Sequence, residues 1–193
     1  MAEYHLQTPL PEGDVRRLKT GDAVKLSGLI YTARDRAHKY LMEEARPETL
    51  EFDLRGGIIY HCGPLIRQHE GKYELVVAGP TTSNRMNPYE PGVIARYGVR
   101  AIIGKGGMDD PTIEALKQYG CVYLSAVSGA AVVLARYVKR VARAYKLQEF
   151  GMPECFWELE VENFPAIVTM DTQGNSVHKQ VEKRSEERLK QLL

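Results

Sequence analysis

The 193-residue sequence has little that would suit it to a membrane, a nucleic acid or an oxidising compartment. Its three cysteines, Cys62, Cys121 and Cys155, are odd in number, far apart and outside any Cys-x-x-Cys spacing. That pattern argues against a disulfide framework or a thiolate metal site and fits reduced thiols in a cytoplasm. Excess charge of one sign is also missing. Lys and Arg number 26 against 25 Asp and Glu, a formal +1, which builds no field for a nucleic-acid backbone or an anionic membrane surface. The longest apolar stretch, from Ala126 to Ala135, is broken by Ser128 and falls far short of the ~20 residues that span a bilayer. The opening MAEYHLQTPLPEGD has no basic region, apolar run or small-residue cleavage site, so it does not read as a secretory signal. The expectation is a cytoplasmic protein with no nucleic-acid or membrane partner. What is present is 44% hydrophobic and 26% charged, the balance of an ordinary globular chain long enough to bury about 70% of its unfolded surface.

Apolar runs bounded by turn residues predict strands at 23–30, 57–62, 74–78, 100–103, 122–126, 156–161 and 166–170. Helical patterns lie between several of them. They cover 35–44, then 88–97 with Gly98 at its end, then 110–119 with Asp110 as candidate cap, Pro111 next and Gly120 as the stop. A longer helix is predicted over 129–145, with Arg136, Lys139, Arg140 and Arg143 on its polar side. Strand, helix, strand, helix from 74 to 145 reads as α/β with parallel crossovers. Residues 1–30 and 156–178 show strands without helices between them, which predicts an antiparallel or second layer at the ends of the chain. The predicted organisation is one domain over 1–180 and a helical tail over 181–193, with a possible Glu186–Lys190 pair.

Three segments place polar and cationic residues where a strand ends, the place where α/β sheets bind ligands. In SGLIYTARD, Arg34 falls at the start of a helix beside Asp35; taken alone, an ion pair with Asp35 or another surface carboxylate explains it as well as a ligand does. In GPTTSNRM, Thr81, Thr82, Ser83 and Arg85 offer hydroxyls and a fork-shaped cation, although a helix-capping turn has the same composition. In IGKGGM, glycines allow close backbone approach and Lys105 adds a point charge. That segment has neither Walker nor dinucleotide spacing. Two arginines and a lysine at successive strand ends suit a small doubly anionic substrate, because each arginine fork matches a carboxylate in plane and spacing. His38 lies one turn past Arg34 and His61 precedes Cys62-Gly63-Pro64. Each is an acid–base candidate, although a histidine that fixes a loop is the commoner reading of such a position.

Read together, SGLIYTARDRAHK, GPTTSNRM, GKGGM, the Gly-Ala-Ala at 129–131 and GMPECFWELEVENFPAIVTMDTQGN resemble, in order and separation, the β subunit of the iron–sulfur hydro-lyases. These are the class I fumarases, in which the equivalent is a C-terminal domain, and the L-tartrate dehydratases. The resemblance covers residues from about 5 to 178. It implies a three-layer swivelling β/β/α domain with a parallel central sheet and an additional antiparallel layer. It also implies reversible hydration of fumarate to malate, shared with an α subunit that carries a 4Fe-4S cluster. A higher-order oligomer of αβ and a small dicarboxylate substrate follow from the same likeness, with no metal bound by this chain.

Carried over residue by residue, Arg34 and Arg85 become carboxylate ligands, Lys105 a further substrate contact and Thr81 the proton-transfer residue. Asp35, His38, His61, Thr82 and Ser83 stand behind them. Scattered cysteines agree with a cluster on the partner, since a four-iron cluster needs thiolates held together. A threonine hydroxyl is a weak base and needs neighbouring cations or a relay. Arg36, Tyr40, Asp109 and Ser128 depart from the family pattern without touching the four carried residues. Ala33 and Ala37 lean toward fumarase. The alternatives are an L-tartrate dehydratase β subunit or a non-catalytic anion-binding or assembly subunit.

Overall fold

The computed structural model describes residues 2–192. In chain order the elements are β1 (Glu3–Gln7), α1 (Glu12–Arg17), β2 (Ala23–Thr32), α2 (Asp35–Glu43), β3 (Ile58–Tyr60), β4 (Leu65–His69), β5 (Lys72–Val77), α3 (Glu90–Tyr97), β6 (Ala101–Gly104), α4 (Asp110–Tyr119), β7 (Val122–Ser125), α5 (Ala131–Ala135), β8 (Val138–Tyr145), α6 (Leu147–Phe150), β9 (Phe156–Met170) and α7 (Val177–Leu192). The main sheet runs β1-β2-β3-β6-β7-β9-β8, and β2 also pairs with β9. Pairings therefore close a circuit through β2, β3, β6, β7 and β9. Within it β2, β3, β6 and β7 are parallel and β9 is antiparallel to both its circuit neighbours. The architecture is mixed α/β with a mostly parallel sheet and a separate antiparallel hairpin of β4 and β5.

Both faces of the central strands are covered, which is why they read as continuous apolar runs. Alternation along each strand sorts the side chains into two cores. Ile58, Tyr60, Ile103 and Leu124 face one core with Trp157, Leu159 and Phe164. Ile59, Ile102 and Tyr123 face the other, under α2, α3 and α4, with Leu41, Ile94 and Leu116. Helices α3 and α4 stop at Gly98 and Gly120, each in the left-handed region that glycine adopts without cost. The cap of α4 is Asp109, whose side chain accepts from the Thr112 N–H, one residue before the expected Asp110. This gives one of the departures from the family pattern a capping role.

The structure corrects four expectations. First, 129–145 is not one helix: α5 lasts five residues and the rest is strand β8, antiparallel to β9. The register shifts between Val138 and Arg140 and again between Val141 and Arg143. These bulges space the inward-facing Val138, Val141 and Ala144 three residues apart, which imitates a helical period. The basic residues pair across strands, Lys139 with Glu162 at 2.8 Å and Arg140 with Glu160 at 2.9 Å. Second, the antiparallel expectation for the chain ends holds for β2 against β9 but not for β1, which pairs parallel with β2 through α1, whose six residues bury only Val15 and so carry no readable period. Third, β5 does not join the parallel series but pairs antiparallel with β4. Fourth, the two strands expected at 156–161 and 166–170 are one strand of 15 residues. Helix α7 starts at Val177, ahead of the expected tail, and residue 193 lies outside the described residues.

Leu159 is fully buried, whereas Leu189 on α7 is 56% exposed. Leu159→Ala is expected to cost roughly 2 to 5 kcal/mol and Leu189→Ala about 0.5 kcal/mol or less, read as shifts in the urea midpoint. Equal losses would contradict this placement of the core.

Candidate active site

Three strand ends meet at one place. Strand β2 delivers Thr32 and then Arg34, the residue that caps α2. The segment after β5 carries Thr81 to Arg85 and enters a 3₁₀ turn at Ser83–Met86. The end of β6 carries Gly104 and Lys105. Backbone pairing fixes these segments to one another: Thr82 bridges Lys105, Cys62 bridges Pro80, and the Thr81 N–H donates to the His61 carbonyl at 2.7 Å.

At the surface of this junction Arg85 Nη2 donates to Thr81 Oγ1 at 3.0 Å and pairs with Asp35 Oδ2 at 3.0 Å. Arg34 Nε lies 3.9 Å from that same carboxylate oxygen and 3.3 Å from Glu154 Oε1. Arg34, Asp35, Thr81 and Arg85 therefore form one cluster, which includes the ion-pair contact between Arg34 and Asp35 that the sequence offered. Arg34 Nε is buried without a hydrogen bond, which leaves a charged donor unsatisfied. Lys105 is held alongside through its backbone: its N–H donates to Ser83 Oγ at 3.3 Å and its carbonyl accepts the Ser83 N–H at 3.2 Å.

Beneath this surface lies a group with no exposed side-chain area, His38, His61 and Glu90. Glu90 Oε2 is 3.1 Å from His38 Nε2 and 2.8 Å from His61 Nε2. Burial pushes the Glu90 carboxyl up, but the two imidazoles overcome it and hold the group at about 2. Burial likewise disfavours a charged His38, yet the Glu90 carboxylate outweighs it and raises the imidazole above its ordinary value. For His61 burial wins and the value falls. Of the two imidazoles, His38 is therefore the one favoured to carry the positive charge. The three donor atoms lie within 4.8 Å of one another, the spacing of a metal triad, and the same geometry lets one carboxylate oxygen accept from both Nε2 atoms.

Neither histidine reaches the surface where a substrate would lie. Glu90, Glu154 and Tyr123 were not legible as site residues. A glutamate in the first turn of a helix is the common partner of the helix dipole, and nothing local shows that this one turns inward. The signal that did exist is Gly104: a Cβ there would collide with Ser83 Oγ and come within 2.7 Å of Tyr123 Oη, so the glycine marks a close approach.

The Fumarase C-terminus family matches residues 1–181. Over 187 residues the chain is 48% identical to "Putative fumarate hydratase class I" of Geobacillus stearothermophilus, covering 96% of this chain and 35% of that protein. It is 48% identical over 186 residues to "Putative L(+)-tartrate dehydratase subunit beta" of Methanocaldococcus jannaschii, covering 95% of each. With "L(+)-tartrate dehydratase subunit beta" of Escherichia coli strain K12 it shares 38% over 173 residues, 89% of this chain and 85% of the relative. The chain thus spans about a third of the Geobacillus protein and most of the other two.

Glu90→Gln keeps the shape but leaves the His38 imidazolium without its carboxylate, and should cost roughly 3 to 5 kcal/mol, read by urea unfolding at neutral pH. Because the folded carboxyl sits at about 2 against an ordinary 4.5, its stabilisation is present above pH 4.5 and is lost as pH falls toward 2. The variant should lack that acid-side loss. Matching midpoints and matching acid profiles would contradict the ion pair.

Proposed function

This chain belongs to the Fumarase C-terminus family, and on that premise we propose that it is the β subunit of a two-subunit hydro-lyase that interconverts fumarate and malate. One observation carries the reading: two guanidinium groups share the Asp35 carboxylate, and one of them donates to the Thr81 hydroxyl. Each arginine fork has further N–H groups for a substrate carboxylate, and two forks suit a diacid. The closed circuit of strands with helices over one core fits a swivelling β/β/α domain. Reduced, buried thiols at Cys62, Cys121 and Cys155 fit a cytoplasmic location.

Loss of water from malate breaks a C–H and a C–O bond. In this reading Arg34 and Arg85 hold the carboxylates, with Lys105 as a further cation, and Thr81, ionised by release of its hydroxyl proton to solvent, takes the proton from carbon at Oγ1. The Arg85 guanidinium stabilises negative charge on that oxygen and opposes the weakness of an aliphatic hydroxyl as a base. Negative charge that builds beside a carboxylate during proton removal is stabilised by the same forks.

An iron–sulfur cluster does not fit this chain. Burial pushes the Cys62 and Cys155 thiols up to about 12 and raises Cys121 as well, the opposite of what a thiolate ligand needs. Among the described residues no cysteine joins a metal-ligand group. We therefore assign the cluster, and departure of the hydroxyl, to an α subunit. The second reading, L-tartrate dehydratase, rests on the two relatives of that name that match over most of their length.

Steady-state kinetics on the complex reconstituted with the α subunit, with iron content verified, test the assignment. Arg34→Lys and Arg85→Lys keep charge and lose the fork, so each should cost roughly 2 to 5 kcal/mol of transition-state stabilisation, with Lys105→Ala behaving alike. Thr81→Ala should lower kcat with little change in KM. Near-normal kcat/KM in the arginine variants would make them structural ion pairs, and preference for tartrate over malate in the unaltered complex would select the second reading. The chain alone, given iron and sulfide, should bind no stable cluster; a stoichiometric one would overturn the two-subunit division.

A further inference from the structure

We propose that His61 is a positioning residue that, by presenting its Nδ1 lone pair to Ser83, sets the spacing between the Thr81–Arg85 segment and Lys105. The inference rests on the reading of those segments as the substrate site and adds to it a residue that touches no substrate.

The direction of each hydrogen bond follows from what each group can donate. A carboxylate only accepts, so both Nε2 atoms that face Glu90 Oε2 carry protons. His38 Nδ1 lies 2.9 Å from the Arg34 carbonyl, which also only accepts, so His38 carries both protons. A second charge on His61 is disfavoured by burial and by the neighbouring imidazolium, and a single proton lies on Nε2, where the carboxylate accepts it. Its Nδ1 is therefore an acceptor, and the Ser83 hydroxyl 2.9 Å away donates to it. With its one proton committed, Ser83 Oγ can only accept, and it does so from the Lys105 N–H at 3.3 Å and the Tyr123 O–H at 2.8 Å. If the proton moved from Nε2 to Nδ1, or a second proton arrived there, Ser83 would lose this acceptor and turn its O–H toward the Tyr123 oxygen instead, which reorients the lone pairs that accept from the Lys105 N–H.

His61 also ties two of these segments through its backbone, donating from N–H to the Ile103 carbonyl at 2.8 Å and accepting from Thr81. The chain of groups from the Arg34 carbonyl through His38, Glu90, His61 and Ser83 to Lys105 thus joins all three strand ends. Gly104 leaves the room in which His61, Ser83 and Tyr123 meet. A purely structural histidine would need only to fill its cavity and satisfy Glu90.

Two amide substitutions separate these roles. In His61→Asn the side-chain oxygen stands near the Nδ1 position and can still accept from Ser83, whereas in His61→Gln the amide reaches Glu90 and the acceptor toward Ser83 is lost. In the reconstituted complex, His61→Gln and Ser83→Ala should lower kcat by about 10- to 100-fold, the scale of small misplacements of reacting groups, and His61→Asn, which loses the Glu90 contact but keeps the acceptor, should lose several-fold less than His61→Gln. In the full chain alone, nitrogen NMR should show one bare and one protonated ring nitrogen for His61 and two protonated ones for His38. The Lys105 backbone amide resonance should move in His61→Gln and Ser83→Ala and hold in His61→Asn. A protonated His61 Nδ1, or a Lys105 amide that ignores all three substitutions, would overturn the proposal. So would activity losses that merely follow each variant's loss of stability. An inactive unaltered complex would instead count against the hydro-lyase reading, and the NMR measurements would still decide the role of His61.

Discussion

A carboxylate with no exposed surface, Glu90, sits between two imidazoles, and the layout of the strand ends above it depends on that contact. Burying an ion is costly unless it is paired and hydrogen-bonded. Glu90 Oε2 meets the cost with two N–H donors and one full positive charge, while Oε1 remains buried without a partner. A group this exacting tolerates few arrangements of its neighbours. It fixes the start of α3 against the first turns of α2 and the end of β3, and through the outer nitrogens of the histidines it reaches the Arg34 carbonyl and the Ser83 hydroxyl.

The surface layer follows from that foundation. Arg34 leaves α2 from its cap, Thr81 and Arg85 leave a segment pinned to His61, and Lys105 leaves a strand end pinned to Ser83. None of the three segments is long enough to hold a charged side chain in place by its own local structure. What they share is attachment to one buried polar group, so the Arg34 and Arg85 side chains meet at Asp35 and the Lys105 backbone is held beside them. Asp35 and Glu154 then neutralise part of the charge at the surface, which limits the repulsion between two arginines brought together.

Much of this was legible from residues alone where one physical constraint dominates. Strands β3, β6 and β7 are covered on both faces and read as short apolar runs, and the ends of α3 and α4 are written by Gly98 and Gly120. Strand β8 was not legible because its two bulges replace a period of two with a spacing of three. Helix α1 is too short for any period. The site divided in the same way: Arg34, Thr81, Arg85 and Lys105 stand out because polar residues interrupt strand ends and because five motifs together resemble one family. Glu90 stays silent in the sequence since its inward turn is set by tertiary packing, and Glu154 by the turn before β9. The histidines were visible, but only the pairing with Glu90 assigns a charge to one and a lone pair to the other.

The central claim is that three strand ends form one dicarboxylate site in which Arg34 and Arg85 serve different carboxylates. The most direct measurement is an experimental structure of the assembled complex with a four-carbon dicarboxylate inhibitor bound. The expected result is one carboxylate within hydrogen-bond distance of the Arg34 guanidinium, the other at Arg85, and Thr81 Oγ1 facing a carbon between them. A dicarboxylate bound elsewhere, with Asp35 and Glu154 still paired to the arginines and no contact to either fork, would contradict it.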